Sequence, residues 1–241
     1  MDSFGFGGSF AVLLAFAVVL PLGLLVLVVL VLAGGRDIDP TGRRTFTLYV
    51  AVVSFVALFT ALIASTALVS SVTQKIEDDS SSSSDVFEEF PESFPGEGFP
   101  EGGDGGEVTQ NDEVLQGVVQ AGLVLAVAVV VLVFHVRRRR EYVAVPGFDG
   151  SAAWRADRAY LYAVCFTAVL VFLFATGFGA YNVFQLASPG VFGSGGDDTS
   201  VREAGLRGLL TLGWLGAASG AIFAVHWRDA QTRTLSDPPV E

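Results

Sequence analysis

Five stretches of the chain, residues 9–33, 46–71, 114–134, 159–187 and 206–225, are apolar on every face and hold one charge among them, Arg207 at the edge of the last. Each reaches the roughly 20 residues that a helix needs to cross a hydrocarbon core of about 30 Å. Only helices and closed barrels span lipid, because every backbone polar group must be satisfied internally. Barrel strands are about 10 residues long and alternate in polarity. These runs do neither, so the pattern predicts an all-α integral membrane protein of five transmembrane helices. Pro21 and Gly23 fall in the middle of the first run and predict a kink there. That run has no basic residue before Arg36 and exceeds the usual signal-peptide core of about 7–15 residues, so it reads as a retained helix.

The charged flanks set the expected topology. Eleven of the 14 basic residues fall on one side if the spans alternate. They are Arg36, Arg43, Arg44, Arg137, Arg138, Arg139, Arg140, Arg155, Arg158, Arg228 and Arg233; the other side holds Lys75, Arg202 and Arg207. Excess positive charge marks the cytoplasmic face, which gives an N-terminus outside, a C-terminus inside and a place in the plasma membrane. The net charge of −11 then divides into a basic inner face and a strongly acidic outer one. Arg137, Arg138, Arg139 and Arg140 read first as a topology anchor, with a specific lipid or partner site as the alternative.

Composition agrees with the pattern: 51% of the residues are hydrophobic and 16% charged, where a soluble domain carries about a quarter charged. The one cysteine, Cys165, lies inside the fourth run and forms no intrachain disulfide. The only long polar segment, residues 72–113, has five consecutive serines and then the acidic motifs Phe90-Pro-Glu, Phe94-Pro-Gly-Glu and Phe99-Pro-Glu. It buries too little apolar area to offset its ordering entropy and is expected to be a disordered outer loop.

Spans two to five carry an internal repeat. Thr47-Leu-Tyr opens one unit after Arg43 and Arg44, and Tyr160-Leu-Tyr opens the other after Arg155 and Arg158. Each returning span closes on a histidine and an arginine, His135-Val-Arg and His226-Trp-Arg, and these are the 2 histidines of the chain. Two parallel two-helix units imply a pseudo-twofold axis along the membrane normal. The expected divisions are an N-terminal helix (1–35), a first unit carrying the acidic loop (36–141), a second unit (142–230) and a short cytoplasmic tail (231–241).

Arg158-x-Tyr-Leu-Tyr opening a span and His226-Trp-Arg closing the next resemble a prokaryotic family of predicted integral-membrane domains of unknown function. The match is best from Arg158 to Arg228; the first unit departs, with Thr-Leu-Tyr and His-Val-Arg. The resemblance implies a membrane domain and no activity.

Chemistry is sparse. His135 and His226 fall at the same depth, and two facing imidazoles can ligate haem or another metal. The competing reading is a pair of interfacial residues beside Trp227 and the arginines, so no cofactor is expected and no metal site. The apolar runs contain no Asp, Glu or Lys, which speaks against proton relays and charge-ring channels. Ser54, Thr60, Ser65, Thr66, Gln120, Thr167, Thr176, Asn182 and Gln185 read as helix–helix hydrogen-bonding groups before a substrate path. Gly216 and Gly220, Ala57 with Ala61 and Ser65, and Ala175 with Gly179 are small-residue pairs suited to close helix approach. Phe46, Tyr49, Tyr160, Tyr162, Trp227 and Arg228 read as interface anchors. No nucleophile elbow, Walker loop or zinc-protease motif is present. The expectation is a non-enzymatic scaffold or accessory subunit, contacting the bilayer, with a membrane-protein partner or a second copy and no nucleic acid. The alternative is a small redox or transport component using the histidines or the polar groups between the repeats.

Overall fold

The computed structural model describes residues 7–33, 43–81, 110–144, 151–192 and 198–234. Helices α1 (Gly7–Ala33), α2 (Arg43–Ser81), α3 (Gln110–Val143), α4 (Ala152–Ala187), the one-turn α5 (Pro189–Phe192) and α6 (Asp198–Thr234) account for almost all of them, and no strand occurs among the described residues. Among the described residues, four helices, α2, α3, α4 and α6, are long and apolar enough to cross a membrane, and α1 contributes the apolar stretch Ala17–Val29. An all-helical protein built for a bilayer is what the uninterrupted apolar runs dictate.

Two differences concern helix ends. The segment expected to be a disordered loop begins as helix: α2 runs on to Ser81 and α3 starts at Gln110. Nothing between Val72 and Ser81 breaks a helix, since the first proline comes at Pro91 and no glycine precedes it. The Phe-Pro repeats fall in 82–109, outside the described residues, as do 1–6, 34–42, 145–150, 193–197 and 235–241. At the same end of the bundle, α4 stops at Ala187, where its apolar run ends, because Pro189 follows, and the Ser188 N–H closes the last turn on the Phe184 carbonyl.

Helix α4 is the centre of the fold. It packs along α6 and also meets α1 and α2, whereas α3 lies almost wholly against α2. The shared core includes Leu27 of α1, Phe55, Phe59 and Leu62 of α2, Tyr160, Leu161, Val164 and Val171 of α4, and Leu212 and Leu215 of α6. Helix α1 reaches it with one stripe, Val19, Gly23 and Leu27, spaced four residues apart. At Gly23 the helices approach so closely that an added Cβ would run into the Thr167 hydroxyl and lie 2.8 Å from the Phe55 ring. Pro21 stands within the same helix, two residues away.

The buried hydroxyls mostly serve their own helices. Thr47, Thr66, Thr167 and Ser219 each donate to a carbonyl four residues back, at 2.8–2.9 Å. This lets polar side chains sit inside a lipid-embedded bundle without a partner on a neighbouring helix. Two hydroxyls do link helices: the Trp214 indole donates to Ser65 Oγ at 3.2 Å and ties α6 to α2, and the Tyr142 hydroxyl donates to the Arg43 carbonyl at 3.5 Å between α3 and α2.

Candidate functional site

The way α3 sits on α2 decides the site. Val114, Ala121, Ala128 and His135 are buried, and Val118, Leu125, Leu132 and Arg139 are half-buried. The alternating spacing of four and three residues is the heptad seam of a left-handed helix pair. Small residues on it, Ala121 and Ala128, allow close approach. Followed to its end, the seam picks one of four consecutive arginines: Arg139 turns inward while Arg137, Arg138 and Arg140 are exposed.

Arg139 meets Asp157 on α4. Its Nε donates to Oδ1 at 2.6 Å and its second nitrogen to Oδ2 at 3.2 Å, a two-pronged pairing. The side chains are 11% and 2% exposed, so this ion pair is buried, at the end of the bundle that carries most of the arginines. One turn along α4, the Tyr160 ring lies under the guanidinium, 4.8 Å from its centroid. The His226 ring of α6 meets Tyr160 edge-on at 6.0 Å. Asp229, also on α6, acts electrostatically on Arg139, Tyr160 and His226. Three helices thus converge on one charged cluster. Beside it lies a cavity of about 10 Å³, bounded by Thr47, Val50, Ala51, Tyr142 and the ion pair, room for about one water.

The two histidines are held alike but face different neighbours. His135 Nδ1 is 2.8 Å from the Val131 carbonyl, and His226 Nδ1 is 2.9 Å from that of Ile222. A carbonyl only accepts, so in each ring Nδ1–H donates, and in the neutral imidazole Nε2 is the nitrogen with the lone pair. His135 packs on Tyr49 at 5.8 Å within the α2–α3 seam. His226 packs on Tyr160, the residue that aligns with Thr47 rather than with Tyr49 in the sequence repeat. No group of three or more His, Cys, Asp or Glu side chains is placed to hold a metal among the described residues.

The expected anchors take several roles. Arg158 stacks on Trp154 at 4.6 Å and donates to the Tyr162 hydroxyl at 3.1 Å. Trp227 is partly exposed and stacks on Phe223 at 5.8 Å. Tyr160, by contrast, is fully buried beneath Arg139. Among the small residues, Gly216 faces Ala175 at ordinary contact distance, 3.6 Å from an added Cβ, and Gly220 faces Phe172 at 3.9 Å. The tight α4–α6 contact lies elsewhere, at Gly208, where an added Cβ would come within 2.5 Å of the Asn182 side chain.

Asp157 and Gly208 were missed in the sequence, and Gly23 was read there as part of a kink rather than as a close contact. Asp157 had a signal: it is a lone acid between Arg155 and Arg158, one turn before an apolar run. Nothing local, however, names its partner. No protein-family model, no curated protein and no solved structure matches the chain.

Proposed function

We propose that the chain is a multi-pass membrane scaffold or accessory subunit without catalytic activity of its own. The observation that carries this reading is the position of α3. Its apolar stretch is the most hydrophobic of the four, yet only 11% of that stretch is buried, against 44% for α2 and for α4. Leu115, Val119, Leu123, Val127, Val130 and Phe134 stand exposed along it. A helix held by one narrow seam presents most of its surface to lipid or to another helix.

The finer topology belongs to the same reading: five spans with α1 retained, the N-terminus outside, the arginine-rich end in the cytoplasm of a plasma-membrane protein, and two parallel repeats. The repeats are supported by the two most extensive helix pairs, α2 with α3 and α4 with α6, and by the matching bonds of His135 and His226. Membership of the resembled family of membrane domains stands with them. Cysteine pairs introduced at Leu123 or Val127 on a Cys165→Ala background test the scaffold role through crosslinking in native membranes. Crosslinks to another polypeptide or to a second copy support it; turnover or solute flux by the purified, monodisperse chain overturns it.

A redox component is the second reading, favoured by the two imidazoles whose Nδ1–H groups are occupied and whose Nε2 atoms carry lone pairs. An absorption spectrum and metal analysis of protein purified in mild detergent test it. A haem band or stoichiometric metal lost on replacing His135 or His226 carries the case; a spectrum free of both removes it.

A further inference from the structure

Helices α2 and α3 touch along the seam but leave an apolar groove of about 500 Å³ on one side of it, within the range of ligand pockets. Val52, Val53, Val56, Ala57 and Thr60 form one wall, and Leu123, Val124, Val127, Ala128 and Val131 the other. Each wall covers eight residue steps, about 12 Å along the helix. The groove opens sideways from two membrane-crossing helices, so what enters it comes from the bilayer.

Its basic end is not apolar. On α2 the groove face continues at four- and seven-residue spacing to Tyr49 and Phe46, both exposed. On α3 it continues from Val127 and Val131 through Phe134 to Arg138. Arg138 lies seven residues beyond Val131, hence on the same side of the helix. Its guanidinium sits over the Phe134 ring at 5.9 Å and its side chain is 58% exposed. Glu141 pairs with it at 3.2 Å, but that carboxylate is 66% exposed, and exposed pairs contribute little against a phosphate offering two acceptor oxygens. Arg137, also exposed, lies about 100° further round the helix and off the groove.

We infer that this groove binds one anionic phospholipid from the leaflet at the arginine-rich end. An acyl chain fills the valine-lined slot, Tyr49, Phe46 and Phe134 flank the glycerol level, and Arg138 takes the phosphate. The apolar walls select a chain, and the charge at one end selects the anionic headgroup. The site rests on the membrane-spanning reading of α2 and α3 but not on a scaffold role.

The test uses the full chain in mild detergent, with phosphatidylglycerol and phosphatidylcholine of identical acyl chains as probes and retained lipid counted by native mass spectrometry. One phosphatidylglycerol per chain, favoured about fivefold, is the expected result: both headgroups offer Arg138 a phosphate, but the choline cation cancels the attraction of about 1 kcal/mol that a basic residue exerts on a net-anionic lipid. Arg138→Gln is expected to remove the preference, Arg137→Gln to keep it, and Val56→Phe, at an exposed position that fills the groove, to abolish retention of both lipids. Helicity and monodispersity of each variant report folding separately. Equal retention of the two lipids, retention unchanged in a folded Val56→Phe variant, or equal losses in Arg137→Gln and Arg138→Gln overturn the inference. In the last case, surface charge alone attracts the lipid. A crosslinked partner at Leu123 with no lipid preference would overturn this site while leaving the scaffold reading intact.

Discussion

Helices α3 and α4 are similar in length and both are apolar enough to span a membrane, yet their surroundings are opposite. Helix α4 is embraced by α1, α2 and α6; α3 leans on α2 along one seam and touches α4 chiefly through Arg139 and Asp157. In water, an apolar helix as bare as α3 would be a fault. In lipid, no hydrophobic force drives helices together, so apolarity does not reveal which helix is central. Packing detail does, and α4 has it: Ala153, Ala156, Ala159, Ala163 and Ala168 are all buried, letting neighbours come close on several sides. Helix α3 has a single file of such positions.

This contrast can be broken most sharply at the ion pair. Asp157→Ala strands a buried guanidinium and is expected to cost about 3–5 kcal/mol, read from thermal unfolding of the purified protein in detergent. The double replacement Arg139→Met with Asp157→Leu should recover most of that loss, because two apolar groups leave no uncompensated charge. If Asp157→Ala melts like the parent, the pair does not hold α3 to the rest of the bundle.

Cavity-forming changes should follow the same division. Leu161→Ala, at a fully buried position on α4, is expected to cost about 2–5 kcal/mol, whereas Leu123→Ala on the bare face of α3 should stay within about 0.5 kcal/mol. Equal losses from the two would mean that the Leu123 face is covered by a partner in the purified protein.

Glycine contacts give a third, smaller test. Gly208→Ala places a methyl against Asn182 and is expected to cost about 1–3 kcal/mol, while Gly216→Ala, with contact at ordinary distance, should be near neutral. A melt that ranks them the other way round would put the tight α4–α6 crossing at the Gly-x-x-x-Gly pair. Smallest of all, Arg138→Gln should leave the melting temperature unchanged while altering lipid retention, since the side chain is exposed and its ion pair with Glu141 weak.

The inward turn of Arg139 was written in the chain, though not in the form in which arginines near a membrane are usually read. Counted as a block, Arg137 to Arg140 look interchangeable. Counted by heptads from Val114, the fourth repeat lands on His135 and the half-step beyond it on Arg139. Gly208 was harder to find. Its neighbours Gly205, Gly213, Gly216 and Gly220 look equally suited to close approach; only the placement of α4 shows that Gly208 meets the Asn182 side chain at 2.5 Å, with Gly205 next against the Asn182 carbonyl at 3.3 Å.

By itself, the chain determined that this is a helical membrane protein, because satisfying the backbone in lipid is a local demand that each apolar run meets within itself. The same run lengths and the arginine distribution carried the expected topology. Tertiary structure decided which helix stands at the centre and which acid receives Arg139. Those choices depend on contacts between residues far apart in the chain, such as Arg139 and Asp157, 18 residues apart, where a side chain's partner is set by how two helices cross rather than by what lies beside it in sequence.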